Sequence, residues 1–218
     1  MGRKEIFELP ESSLPDFRTT ELDADLLATA FEVQTNWHVI TGAPSCGKTT
    51  LINLLANKGF QTIPEAARLY LEREIAKGQT IEEMRSNQVA LERSIKDMQL
   101  EIERGLQAND LIFLDRAIPD YLAWYRVSGL NPNEFLRECF HYRYASVFML
   151  DRLPLQLDGL RFKDDALQGL TDEWHVRDYS ALGYRLVRVP VLPPEERLRY
   201  VLEVLSEQGL DVTNYGSG

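Results

Sequence analysis

The run Gly42-Ala43-Pro44-Ser45-Cys46-Gly47-Lys48-Thr49 satisfies the pattern G-x-x-x-x-G-K-S/T at every fixed position. These residue types at this spacing are the parts of a polyphosphate cradle. Gly42 and Gly47 let the backbone curl with no Cβ in the way. Successive N–H groups then point inward and form an anion nest. A helix starting at Lys48, with Thr50 in its first turn, would add its partial positive end to the same phosphate. Lys48 would reach the β- and γ-phosphates, and the Thr49 hydroxyl would ligate Mg2+. At roughly 7% glycine per position, a chance match in a chain of this size is about a 1% event. Cys46 inside the loop reads as an ordinary small loop residue. No Asn/Thr-Lys-x-Asp guanine-reading motif occurs, which favours ATP over GTP.

Further residues could share that chemistry. Leu111-Ile112-Phe113-Leu114-Asp115 is an apolar run ending in an acid. A buried strand of this kind would deliver the Asp115 carboxylate to Mg2+ or its water shell. Arg116 follows at once, where an acid–arginine pair would hold the metal side and the acceptor or phosphate side. Glu65, just past Pro64, would stand at the end of a strand and bind or deprotonate an acceptor hydroxyl. It could equally be a helix-start acid favoured by the dipole. Arg68, one turn on, would pair with Glu65 or bind substrate. Arg161, within Asp158-Gly159-Leu160-Arg161, is the cation best placed in sequence to meet charge on a transferring phosphoryl group. Arg152 and Lys163 are secondary candidates, and a solvated charged loop is the alternative.

The elements that must position these groups follow a strand–loop–helix rhythm. Trp37–Thr41 is an apolar, β-branched run, Lys48–Asn57 a helix closed by Gly59, and Phe60–Ile63 a second strand. Glu65–Lys77 reads as helix, Leu111–Leu114, Ser146–Leu150 and Tyr184–Val189 as strands, and Pro193–Gln208 as the last helix. Thr80–Arg104 holds no Gly or Pro, and Ile81, Met84, Gln88, Leu91, Ile95, Met98 and Ile102 recur at steps of three and four. That spacing predicts one long helix with Gln88 as the only polar residue in its stripe. Gln88 would be either a buried, hydrogen-bonded glutamine or a ligand-reading group in the cleft. Alternating strands and helices predict an α/β fold, a parallel sheet with helices on both faces, and ligands beyond the carboxyl ends of the strands. Residues 1–35 read as an N-terminal arm with an amphipathic helix over Glu21–Gln34. Residues 36–208 read as the main domain, and 209–218 as a frayed tail.

Composition sets outer limits. The chain has 218 residues, a net charge of −10 and 44% hydrophobic residues, an ordinary profile for a soluble globular domain. An acidic protein is poorly suited to a broad nucleic-acid surface, although a local basic pocket is compatible with it. Two cysteines, Cys46 and Cys139, make no disulfide framework, so a cytoplasmic setting is expected. The apolar runs are far short of the ~18 residues that suggest a membrane span. The N-terminus also lacks the apolar core of a signal peptide.

Together the motifs resemble the small P-loop ATPase/kinase group related to the ribosylnicotinamide kinase domain of NadR. The matching segments, besides the phosphate loop, are Glu65-Ala66-Ala67-Arg68, Asp115-Arg116-Ala117-Ile118-Pro119-Asp120 and Asp158-Gly159-Leu160-Arg161. The likeness runs from about Trp37 to Gln208. It implies a three-layer sandwich whose five-stranded parallel sheet has the order 2-3-1-4-5. It also implies an Mg2+-dependent, ATP-using phosphotransferase acting on a small hydroxylated acceptor. In that reading Lys48, Glu65, Asp115, Arg116 and Arg161 are catalytic. Thr49 and Asp115 hold the metal, and Glu65, Arg68, Gln88, Arg116 and Asp120 bind the acceptor. Two alternatives stay open: a nucleotide-dependent switch whose N-terminal arm meets a protein partner or a second copy, and an NTP-dependent lipid-binding module.

Overall fold

Trp37–Thr41 is buried along its whole length and lies at the middle of the sheet, as its uninterrupted apolar character requires. A computed structural model describes residues 17–153 and 165–212; of 165–168 it describes the backbone alone. The elements are, in chain order, α1 (Ala24–Leu27), β1 (Val33–Gln34), β2 (Trp37–Thr41), α2 (Lys48–Asn57), β3 (Gln61–Ile63), α3 (Ala66–Ala76), α4 (Ile81–Arg85) and α5 (Gln88–Arg104). They continue with β4 (Ile112–Asp115), α6 (Asp120–Val127), two 3-10 turns (Pro132–Glu134 and Leu136–Phe140), β5 (Tyr142–Arg143), β6 (Ser146–Leu150), α7 (Asp165–Ala181), β7 (Leu186–Val189) and α8 (Pro194–Glu207).

The main sheet is parallel, in the order β3-β4-β2-β6-β7. Counted along this sheet alone, that is the expected 2-3-1-4-5. Ile40 pairs with Asp115 and Thr41 with Met149, so the ends of β2, β4 and β6 lie side by side below the phosphate loop. Successive side chains along these strands enter opposite cores. Trp37, Val39, Ile112, Leu114 and Val147 join one cluster with residues of α5 and α6. Ile40, Phe113, Phe148 and Leu150 join the other, with α2 and α8. This alternation is what makes the molecule three layers.

Three expectations are corrected. The amphipathic helix over Glu21–Gln34 shrinks to Ala24–Leu27, capped by Asp23, and Val33–Gln34 instead pairs as a strand with Tyr142–Arg143. Leu22, Leu26, Leu27 and Phe31 still pack on the core. Arg126 Nε donates to Thr20 O at 2.7 Å, and Arg177 pairs with Glu21. The described part of the arm, residues 17–35, is therefore stitched to the domain.

The long helix over Thr80–Arg104 is two. The Thr80–Glu83 capping box starts α4, and Asn87 caps the next helix by accepting from Ala90 N. The buried face of α5 is also turned from the expected stripe. It carries Glu92, Gln99 and Glu103 beside Leu91, Ile95 and Leu100, while Gln88 is exposed. Among the described residues no helix is long and apolar enough to cross a membrane.

Candidate functional site

The phosphate loop follows β2 directly. Gly42 has φ +134°, and a Cβ there would stand 2.8 Å from Leu150 O, so only glycine fits. Ser45 and Gly47 also have positive φ, 63° and 99°, which curls the loop into the first turn of α2. Ala43 and Cys46 are buried, Pro44 is half-buried, and Thr50 is exposed. Lys48 Nζ is buried and folds back on the loop, donating to Gly42 O at 3.1 Å and Ala43 O at 2.8 Å. Burial lowers its pKa and the Arg116 charge adds to that effect.

At the carboxyl end of β4, Asp115 Oδ2 accepts from Thr49 Oγ1 at 3.1 Å. Its Oδ1 is buried with no hydrogen-bond partner among the described residues. Burial raises its pKa, against the pull of Lys48 and Arg116. Arg116 follows with φ +75°, a strained conformation for a residue with a Cβ and one that recurs at functional sites. The turn sends its guanidinium back across the cleft. Nε donates to Glu65 Oε1 at 2.7 Å, and Nη1 lies 3.3 Å from both Gly42 O and Asp120 Oδ1. Burial opposes ionisation of Glu65, but Arg116 outweighs it and holds the carboxyl below its usual range.

The expected residues thus divide. Lys48, Thr49, Glu65, Asp115 and Arg116 come together. Arg68 does not: it is exposed and pairs with Glu72 at 3.4 Å, one turn further along the outer side of α3. Asp120 is fully buried and its oxygens are already engaged. Thr41 Oγ1 donates to Oδ1, while Ala117 N at 3.1 Å and Tyr179 Oη at 2.5 Å donate to Oδ2. It holds Arg116 in place, so it is corrected from an acceptor ligand to a positioning group. Gln88 is hydrogen-bonded but exposed rather than buried: its Nε2 donates at 2.5 Å to the buried Glu92. Asp158, Arg161 and Lys163 lie outside the described residues. Arg152 is described and half-buried.

Two participants were not foreseen. Arg197, from α8, is 3% exposed and braces the loop from below, with Nη1 donating to Cys46 O at 2.5 Å, Nε to Pro190 O at 3.0 Å and Nη2 to Asp151 O at 3.1 Å. Asp172, on α7, accepts from Ala43 N at 3.1 Å. Neither lies near a motif, and the amphipathic spacing of α8 signals only packing. Beside Arg197 is an apolar cavity of about 130 Å³, lined by Gly47, Thr50, Leu51, Leu153, Leu192 and Pro194. A larger groove of about 780 Å³ lies where β6 and β7 begin, at the end of the sheet away from the phosphate loop.

Comparison with known proteins agrees with this geometry. Among solved structures, NadR in complex with NR superposes with a TM-score of 0.57 at 19% identity, over 81% of this chain and 52% of that one. Thymidylate kinase from Candida albicans gives 0.51 at 15% identity, over 80% and 92%. Shikimate kinase from Aquifex aeolicus gives 0.50 at 14%, over 80% and 99%. These likenesses establish a P-loop kinase fold. The chain spans about half the length of the NadR chains it matches. No curated protein matches the sequence. The sequence pattern of the AAA domain family matches residues 37–197, well over half of the chain, and the chain belongs to that family.

Proposed function

We propose that the protein is an ATP-dependent, Mg2+-using phosphotransferase acting on the hydroxyl of a small acceptor, with residues 36–208 as its catalytic unit, working in the cytoplasm. The observation that carries this reading is the meeting of two pairs at the strand ends. Thr49–Asp115 stands beside the phosphate loop, and Arg116–Glu65 stands across it. A plain phosphate-binding loop has no use for the second pair. A phosphoryl transferase does, because it must align an acceptor oxygen with the γ-phosphorus.

The loop amides and Lys48 would hold the β- and γ-phosphates. To do so Lys48 exchanges its bonds to Gly42 O and Ala43 O for phosphate oxygens. The residues present fit Mg2+: a hydroxyl and a carboxylate are hard oxygen donors, and Asp115 Oδ1 is a buried acceptor with no partner among the described residues. When bound, the ion neutralises charge on the phosphate oxygens. Glu65 is ionised near neutrality and can accept the acceptor's hydroxyl proton in a hydrogen bond, which orients the oxygen. Arg116 fixes the Glu65 carboxylate, and Asp120 fixes Arg116. The apolar cavity lined by Thr50 and Pro194 would receive part of the nucleoside end of ATP. Arg161 is proposed to meet the transferring phosphoryl group.

The test combines a thermal shift with Mg·ATP and a phosphate-transfer assay from radiolabelled ATP over a panel of hydroxyl compounds. Stabilisation by Mg·ATP and transfer to at least one compound is the expected result. Stabilisation with acceptor-independent hydrolysis alone would turn the reading to a nucleotide switch.

A further inference from the structure

One face of α7 is turned on the site. Asp172, His175 and Tyr179 recur at steps of three and four, so they lie along one side of that helix. The outer two are bonded to the site. Asp172 accepts from Ala43 N of the phosphate loop, and Tyr179 Oη donates to Asp120 Oδ2. His175, between them, is fully buried, and neither of its ring nitrogens makes a hydrogen bond among the described residues. Its Nε2 lies 3.7 Å from Asp120 Oδ1, just beyond bonding distance. Buried polar atoms are ordinarily satisfied, so a histidine left in this state beside the cleft calls for a reason.

Asp120 supplies one. A carboxylate offers about four lone-pair sites. Ala117 N and Tyr179 Oη fill those of Oδ2, and Thr41 Oγ1 and Arg116 Nη1 those of Oδ1. His175 is therefore a fifth donor at an acceptor with four places. Arg116 Nη1 is the loosest of the four holders, because it stands 3.3 Å from Oδ1 and equally far from Gly42 O of the phosphate loop. Arg116 Nε is held much closer, at 2.7 Å from Glu65 Oε1. A ligand oxygen on the phosphate-loop side can thus draw Nη1 away while Nε stays on Glu65. Asp120 Oδ1 would then keep an empty lone pair in a buried place, which is costly unless another donor closes in. The His175 ring reaches bonding range by moving less than about 1 Å. Burial keeps that ring neutral, against the pull of Asp120 and with Arg116 and Lys48 adding to the effect, and the carboxylate beside Nε2 favours the tautomer with its proton there. It can donate without taking up a proton.

We propose that His175 is a positioning residue: its Nε2–H replaces Arg116 Nη1 on Asp120 Oδ1 when Nη1 turns to an oxygen of the transferring phosphoryl group. The inference rests on the phosphotransferase reading above. It goes further by giving Arg116 two positions and naming the residue that satisfies Asp120 in the second. Only hydrogen bonds are exchanged, and His175 keeps its proton throughout.

The direct test is nitrogen-15 NMR of the histidine rings in the full chain. There are three histidines, and the other two already have ring partners, Ser146 Oγ for His38 and Glu32 for His141. Spectra are taken without nucleotide, with Mg·ADP, and with Mg·ADP plus aluminium fluoride, which mimics the phosphoryl group in transfer. His175→Gln identifies the His175 signal by its loss. The expected result is a ring N–H proton of His175 that moves downfield, as a bond to a carboxylate requires, in the aluminium fluoride complex and not with Mg·ADP alone. A His175 signal that is the same in all three states overturns the proposal.

Kinetics of His175→Phe and His175→Gln supply the second readout. Phenylalanine fills the space and cannot donate, whereas the glutamine amide N–H can stand where Nε2–H stood. His175→Phe should lower kcat for Mg2+-dependent ATP turnover at least about fivefold, the low end of the cost of an unsatisfied buried acceptor, with little change in the KM for ATP. His175→Gln should recover most of that loss. The Mg·ATP thermal shift checks that each variant is folded and holds nucleotide. Equal kcat losses in the two variants, or wild-type kcat in His175→Phe, would reduce His175 to a packing residue. If Mg·ATP fails to stabilise the wild type, the phosphotransferase reading falls first and takes this proposal with it.

Discussion

Thr49 and Asp115, 66 residues apart in sequence, meet through a 3.1 Å hydrogen bond from hydroxyl to carboxylate. Thr49 lies in the first turn of α2 and Asp115 ends β4. Their contact exists because Ile40 of β2 pairs with Asp115, which places the end of β4 beside the loop leaving β2. The arrangement leaves Asp115 Oδ1 buried without a partner among the described residues, a costly state that a bound cation would relieve. Asp115→Asn keeps the volume and loses the charge. It should fold normally and lose at least about tenfold in Mg2+-dependent turnover, with a raised Mg2+ requirement. Turnover against Mg2+ concentration measures this, and wild-type activity at low Mg2+ would place the metal elsewhere.

Lys48 gives a prediction about nucleotide affinity. At Mg·ATP about 100-fold above Kd, linkage supplies ~2.7 kcal/mol of stabilisation. For a chain of this size that raises Tm by roughly 5–10 °C. Lys48→Ala removes the loop's one ammonium and should abolish most of that rise. An undiminished shift in the variant would separate the loop from the nucleotide site.

The sheet and the phosphate loop were legible in sequence because each depends on local signals. Trp37–Thr41 is continuously apolar, and the glycines of 42–47 have fixed spacing. Glu65 and Arg116 were legible as strand-end residues. Their mutual bond was not, because it depends on Arg116 adopting a positive φ that its sequence does not advertise. Asp120 looked like a ligand on motif grounds, yet burial and its donors make it structural. The break at Ser86-Asn87 was missed because apolar spacing continues through it. Only the capping side chain of Asn87 announces the second helix. Glu92 and Glu103 were invisible for a related reason, since acids on a helix usually mark its solvent face.

Arg197 joins α8 to the phosphate loop through three carbonyl oxygens, those of Cys46, Pro190 and Asp151. Arg197→Ala would leave these acceptors without their partner. The expected loss is at least about 2 kcal/mol of stability, since hydrogen bonds to a charged group are worth about 1.5–3 kcal/mol each and do not add fully. Arg197→Lys should not rescue it, because one ammonium cannot copy the fork. Urea unfolding of the two variants reads both effects. Recovery by lysine would show that charge alone, and not the fork, secures the loop.

Arg161 is a kinetic question. If it meets charge only as the phosphoryl group transfers, Arg161→Ala should lower kcat at least about tenfold and change the KM for ATP little. Lys163→Ala should do less. Steady-state kinetics of both variants decide it, and a wild-type kcat in Arg161→Ala would make the segment an ordinary surface loop.

Glu103 supplies a pH signature. It is buried on α5 and accepts from Gln99 Nε2 at 2.8 Å, Ile118 N at 3.2 Å and Tyr144 Oη at 2.8 Å. Burial raises its pKa from 4.5 to about 7, and nearby Asp120 pushes the same way against those hydrogen bonds. Between these values the folded chain holds a proton that the unfolded chain has released. The resulting stability is complete below 4.5 and is lost as pH rises through about 7. His38 and His175 act in the opposite sense, because burial lowers each to about 4. Their contribution is present above 6.5 and is lost as pH falls toward 4. In the wild type the two trends oppose each other across pH 4.5–6.5 and flatten the profile. Glu103→Gln removes one falling contribution while its amide can still accept from Gln99 and Ile118. Relative to wild type it should therefore gain stability as pH rises from 5 to 8, by up to about 3 kcal/mol for a 2.5-unit difference. Urea unfolding of both proteins at pH 5, 6, 7 and 8 measures the divergence. Parallel profiles would mean that Glu103 is ionised in the folded protein, with its three donors outweighing its burial.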